Sequence, residues 1–207
     1  IVTEALTKFV SGHSDVLMGS ITVKDEPLIQ PIRSLIGRMG VGVSPDDASL
    51  VLRGFETLGV RLRHSERVAL EFARRLATHP LVDAVLHPAL ETFHGHEIWK
   101  RDFLGSSGVF SVTFTEAASR HVAAALDALR LFAIGASWGG TRSLAAPMSV
   151  DRFRTATSWT GPDVTLRLSI GLEDEGELWA DIERFLASLE QLSSMSSGAV
   201  KAAIRHG

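Results

Sequence analysis

Cysteine is absent from the 207 residues, and so is tyrosine. Without cysteine the chain forms neither disulfides nor thiolate metal sites, which agrees with a reducing, cytoplasmic setting. Long apolar runs are missing too. None reaches the roughly 18–20 residues that span a bilayer, so no membrane partner is expected. The net charge of -3 is spread along the chain. It leaves neither a basic stripe for nucleic acid nor a polybasic membrane patch. Lysine is scarce, at Lys8, Lys24, Lys100 and Lys201 alone. The chain opens on Ile1-Val2-Thr3 without an initiator methionine or a signal peptide, and is expected to be cut from a longer protein.

What is present is ordinary for a globular protein, with 45% hydrophobic and 22% charged residues. The length suits one large domain or two modest ones. Residues 1–23 read as a strand-and-loop segment punctuated by Gly12 and Gly19. Ser44-Pro45-Asp46-Asp47 is a helix start: a hydroxyl cap, proline at the first position and acids in the first turn. A second helical stretch places Val68, Ala69, Phe72 and Leu76 on one face, and His79-Pro80 ends it. Leu81–Leu86, Gly108–Phe114, Phe132–Gly135 and Val164–Ile170 have strand character. Glu116–Leu131 and Leu178–Leu189 predict helices, and Ser193–Ser197 a frayed polar tail. The mixture past about residue 80 implies a helix-covered, mainly antiparallel sheet as a small second domain.

Three places carry candidate chemistry. Lys8 lies in Thr7-Lys8-Phe9-Val10-Ser11-Gly12-His13-Ser14-Asp15, among apolar and hydroxyl neighbours. Partial burial would favour its neutral amine, which forms imines. On the residues alone, a surface lysine before a turn is the plainer reading. Gly135-Ala136-Ser137-Trp138-Gly139 matches the G-x-S-x-G nucleophile elbow, whose histidine would have to be His206. His87, His94, His96 and Glu97 contain a His-x-His pair but no convincing further ligand, so no metal is expected.

The lysine segment resembles the motif Ser-x-Thr-Lys-Tyr-x-x-Gly-His-x-Asp of the cysteine/methionine-metabolism family of pyridoxal phosphate enzymes. The resemblance continues through Ser44-Pro45-Asp46, Leu52-Arg53-Gly54-Phe55-Glu56-Thr57-Leu58 and His79-Pro80-Leu81-Val82-Asp83-Ala84-Val85. It extends on through Trp99-Lys100-Arg101-Asp102-Phe103, Ser137-Trp138-Gly139-Gly140 and Arg167-Leu168-Ser169-Ile170-Gly171-Leu172-Glu173-Asp174. These segments cover nearly the whole chain in order. Trp138 stands where the family's γ-synthases and γ-lyases usually carry leucine, which points to the β-lyase branch.

That resemblance implies an α/β fold: the end of a fold-type I large domain over 1–56, then a small α+β C-terminal domain over 57–207. It implies pyridoxal 5'-phosphate as cofactor, with Lys8 as the Schiff-base lysine that also carries the substrate's α-proton. Thr7 becomes a phosphate contact. Ser137 and Trp138 line the substrate pocket, and Arg167 grips the substrate carboxylate, a task that suits a bidentate guanidinium. The implied reaction is β-elimination of cystathionine to homocysteine, pyruvate and ammonia by a carbon–sulfur lyase. A broader cysteine-S-conjugate or γ-type lyase and a non-catalytic interaction fragment are the alternatives, and a Ser137 hydrolase stands behind them. The intact protein is expected to be a homotetramer. Ala5 stands where the family has a phosphate-binding serine, and Phe9 where it has tyrosine. The family's pyridinium-pairing Asp, stacking aromatic ring and glycine-rich phosphate loop all precede its lysine. This stretch alone is therefore expected to hold the cofactor weakly.

Overall fold

A two-stranded hairpin opens the computed structural model, which describes residues 1–151 and 154–205, with side chains to residue 196. Strands β1 (Val2–Ala5) and β2 (Gly19–Thr22) pair antiparallel, with Ala5 opposite Gly19. Helix α1 (Glu26–Arg38) follows, with Pro27 in its first turn and no residue buried. Helix α2 runs unbroken from Pro45 to Ala77, where the sequence predicted two helical stretches. Its start is as predicted, since the Asp47 amide donates to Ser44 Oγ at 3.0 Å. No glycine cap or proline interrupts residues 45–77, so one hydrogen-bond ladder carries through.

The chain divides into two compact units. The first comprises Ile1–Leu62 with Gly139–Thr141, and the second Arg63–Trp138 with Arg142–Gly207. The first has a small core of Val10, Val16 and Val51, with Leu6, Met18, Leu50 and Leu58 packed on it.

The second unit is built on a mixed five-stranded sheet in the order β3-β4-β7-β6-β5. The strands are β3 (Val82–Leu86), β4 (Val109–Phe114), β5 (Ala133–Ile134), β6 (Leu144–Met148) and β7 (Thr165–Ser169), with the short helix α3 (His96–Asp102) between β3 and β4. Neighbours are antiparallel except β5 and β6, which pair in parallel. A parallel pair needs its chain to leave the sheet and return. Here residues 135–143, which include Ser137 and Trp138, make that excursion. Period-two alternation turns Phe110, Val112 and Phe114 of β4 and Leu166 and Leu168 of β7 into one core. Phe72 and Leu76 of α2 join them, as do Leu178, Ile182, Phe185 and Leu189 of the last helix, α6 (Glu175–Arg205).

Two expectations are corrected. Glu116–Leu131 is not one helix but α4 (Glu116–Ser119), α5 (Val122–Ala125) and a 3-10 turn at Leu126–Ala128. Ala118, Val122, Ala125 and Leu126 keep a common buried face. The helical ladder is nonetheless broken by i→i+3 bonds such as the His121 amide to the Ala118 carbonyl. Residues 193–197 do not end the last helix, which continues to Arg205. Ser193 and Ser194 donate their hydroxyls to the carbonyls of Leu189 and Glu190 one turn back, which lets serines sit in a helix. The sequence also hid β6, because Leu-Ala-Ala-Pro-Met has poor strand propensity and only pairing with β7 makes it a strand.

Candidate active site

Lys8 follows β1 in a closed turn of the first unit and is half-buried. The Lys8 amide donates to the Ala5 carbonyl at 3.1 Å, and the Lys8 carbonyl accepts from the Gly12 amide at 2.9 Å. The Ser11 amide closes on the Leu6 carbonyl at 2.9 Å, and Ser11 Oγ donates to the Thr7 carbonyl at 3.1 Å. Val10 seats the turn in the small core. His13 Nδ1 donates to the Ser11 carbonyl at 2.6 Å, and Asp15 pairs with Arg53 at 3.2 Å. The lysine backbone is therefore held on both sides.

Thr7 extends the hairpin past its last ladder pair. Its amide donates to the Met18 carbonyl at 3.1 Å. Its hydroxyl donates to that same carbonyl at 3.1 Å and accepts from the Met18 amide at 2.8 Å. To donate to a phosphate, the hydroxyl would have to give up the Met18 carbonyl.

Gly139, at φ +81°, packs against the lysine turn within the same unit. A Cβ there would lie 2.8 Å from the Phe9 nitrogen and 3.0 Å from the Lys8 carbonyl carbon. Only glycine combines that positive φ with that approach. Sequence reading placed it only in the Gly135–Gly139 elbow match and the Ser137–Gly140 segment, and missed the contact.

Arg61, also missed, is buried and donates through all three of its guanidinium nitrogens. Nε reaches Thr57 Oγ1 (3.0 Å), Nη1 the Phe9 carbonyl (2.9 Å), and Nη2 the carbonyls of Val10 (3.1 Å) and Gly54 (2.7 Å). Burial lowers its pKa from the ordinary arginine value. It lies three residues past the Leu52–Leu58 motif, and no local pattern marks it.

In the second unit, Arg167 is central in β7, opposite Ser111 of β4 and Ala146 of β6. Leu166 and Leu168 point into the core, so alternation turns Arg167 to the other face. Its guanidinium carbon stands 5.2 Å from the centre of the Trp138 ring, and Nη2 donates to the Ser137 carbonyl at 3.2 Å. Burial lowers its pKa as well. Ser137, Trp138 and Arg167 thus lie together in the second unit. Ser143 braces the strand ends: its Oγ donates to Glu173 at 2.8 Å and accepts from the Gly171 amide at 2.8 Å.

The other two candidates do not form sites among the described residues. After Ser137 the chain turns into strand β6, where a nucleophile elbow requires a helix. The elbow's histidine, His206, lies outside the described residues. His87 is fully buried, and its Nδ1 accepts from the Ala89 amide at 3.1 Å. Burial lowers its pKa, which favours the neutral ring. His96 bonds the Pro88 carbonyl at 3.0 Å. No group of three or more potential ligands could hold a metal among the described residues. No described helix is long and apolar enough to cross a membrane.

The same fold occurs in the cystathionine gamma synthase of Xanthomonas oryzae pv. oryzae, solved in complex with cystathionine. The TM-score is 0.82 at 34% identity, over 92% of this chain and 50% of that one. Residues 1–187 match the model of the Cys/Met metabolism PLP-dependent enzymes, and the chain belongs to that family. It is 39% identical over 190 residues to the cystathionine beta-lyase of Escherichia coli (strain K12), across 90% of this chain and 48% of that protein. It is 40% identical over 190 residues to a cystathionine gamma-synthase of Mycobacterium bovis, again across 90% and 48%. The chain therefore spans about half the length of the curated relatives it matches.

Membership implies pyridoxal phosphate as cofactor. At the aldehyde end the residues fit, because a primary amine stands on a turn fixed by backbone bonds on both sides. At the phosphate end this stretch offers little, with Ala5 bare of a hydroxyl and the Thr7 hydroxyl engaged by Met18.

Proposed function

We propose that this chain is part of a carbon–sulfur lyase that eliminates the β-substituent of cystathionine, giving homocysteine, pyruvate and ammonia. The observation that carries the reading is the fixed, half-buried turn of Lys8 in a chain of this family. When bound, pyridoxal phosphate supplies an electron sink for the pair left at the substrate's α-carbon. Lys8 Nζ would be the amine that holds the cofactor, and once freed by the substrate's amine it would take the substrate's α-proton. The substrate's β-carbon–sulfur bond would then break, the thiolate leaving with that bond's electron pair while the α-carbon pair forms the double bond. Lys8 Nζ would then retake the cofactor, and the released three-carbon enamine would take up one water to give pyruvate and ammonia. Arg167 binds the substrate's α-carboxylate, Trp138 backs that guanidinium, and Ser137 lines the same pocket. Thr7 reaches the phosphate by exchanging its bond to Met18.

On this reading residues 1–56 complete a fold-type I cofactor domain and 57–207 form the small C-terminal domain. The intact protein is a cytoplasmic homotetramer. Near-equal identity to gamma-synthases supports a second reading, a γ-type reaction on the same scaffold. The full-length protein given cystathionine separates the two: pyruvate supports β-elimination, and 2-oxobutyrate replaces it with γ-chemistry. Lys8→Ala should abolish both product formation and the near-visible absorbance of the lysine-linked cofactor. A band that persists removes Lys8 from its role.

A further inference from the structure

Arg61 spends a buried guanidinium on groups that are nearly all backbone, and two of its acceptors are the carbonyls of Phe9 and Val10, directly after Lys8. We propose that Arg61 is a positioning residue for Lys8, tying the turn that follows the lysine to α2 and so fixing the backbone from which the amine is presented. This rests on the reading of Lys8 as the cofactor lysine.

The geometry distinguishes Arg61 from a core filler. Two of its bonds stay on its own helix, to the Gly54 carbonyl and Thr57 Oγ1, and they hold the planar fork still. The other two reach across to the lysine turn. A compact ammonium would not present donors to all four acceptors at once, whereas a guanidinium fork does so with one rigid group. Gly12 sits against the fork at φ +68°, where a Cβ would overlap the guanidinium. The Gly12 amide in turn bonds the Lys8 carbonyl at 2.9 Å. The path from Arg61 to the lysine backbone is thus contiguous: fork, Phe9 and Val10 carbonyls, turn, Lys8 carbonyl. An apolar residue at 61 would leave the Phe9 and Val10 carbonyls without these donors, and the turn would relax to find others.

Arg61→Ala in the full-length protein tests this. With the cofactor bound, the pH at which the near-visible band titrates should shift. kcat should fall at least ~10-fold with a smaller change in KM, as expected for a displaced catalytic group. In the cofactor-free protein, exchange of the Ser11 and Gly12 amides should accelerate at least ~10-fold. Added guanidinium should restore part of both. Unchanged titration with unchanged exchange overturns the proposal, whatever the loss of thermal stability. If Arg61→Ala does not fold, Arg61→Lys carries the test: the same shifts at smaller size support it, and wild-type values in both overturn it. A failure of the Lys8 reading shows separately, as a band that survives Lys8→Ala, and amide exchange then still judges the clamp.

Discussion

The guanidinium of Arg167 faces the ring of Trp138, its carbon 5.2 Å from the ring centre. A cation over an indole face gains about 0.5–2 kcal/mol, the more so when water is excluded. The contact fixes which way the charge points. Trp138→Leu keeps apolar bulk but removes the π face. It should raise KM for the amino-acid substrate about 3- to 20-fold while changing kcat less, since the ring serves ground-state and transition-state binding alike. Steady-state kinetics on the full-length protein check this, and an unchanged KM would show that the ring does not orient the arginine.

Gly139→Ala should be costly for its size. The substitution forces a side chain to φ +81° and pushes a Cβ against the Phe9 nitrogen and the Lys8 carbonyl carbon. The backbone conformation alone costs about 1–2 kcal/mol, and the lysine turn must also yield. Urea unfolding should show the loss, and the near-visible band should change. A loss within about 0.5 kcal/mol, the range of ordinary surface changes, would deny the close approach.

Asp181 sets an acid limb. It is fully buried and accepts from the amides of Arg130, Leu131 and Phe132 at 2.8–2.9 Å, with Arg184 at 2.7 Å. Burial by itself pushes the carboxyl up. The three amides and Arg184 outweigh it, and the pKa ends below the ordinary value. Its stabilisation is therefore complete above about pH 4 and is lost as pH falls through the lower folded value. Asp181→Asn should cost ~3 kcal/mol at neutral pH and flatten the acid limb of stability against pH. Denaturant melts from pH 2 to 7 would reveal it, and parallel curves for the two proteins would contradict it.

The Ser44 cap is separable from the site. Ser44→Ala should cost about 1 kcal/mol, and Ser44→Asp should be near neutral, because either oxygen accepts from the Asp47 amide. Equal melting temperatures for Ser44→Ala and the parent would remove the cap.

Thr7 carries two duties in this reading. Thr7→Val should cost about 1 kcal/mol through the lost Met18 bonds. It should also weaken cofactor binding about 10-fold, as loss of a charge-assisted bond to phosphate would. Thr7→Ser should retain most of both. Unaltered cofactor affinity in Thr7→Val would leave the hydroxyl to Met18 alone.

Much of this was legible before any coordinates. Motif spacing carried the family, because the motifs are local objects whose residues are neighbours in sequence. Strand character was legible for β4 and β7, since runs of β-branched and large apolar residues are local in sequence. Ser44-Pro45-Asp46 announced α2 for the same local reason. The 116–131 stretch misled because an alanine-rich run reads as helix whatever its hydrogen bonds become, and β6 was invisible because its partner, not its composition, makes it a strand.

The sequence by itself determined the family and the absence of cysteine chemistry, and it singled out Lys8 and Arg167 as candidates. The tertiary structure alone decided what holds them. Arg61 meets the Phe9 carbonyl across 52 positions of chain, and Arg167 meets the Ser137 carbonyl across 30. A guanidinium is always a cation with five donors, and that much is written in its identity. Which carbonyls it reaches depends on how a helix crosses a turn or how strands take register, and no local pattern encodes either.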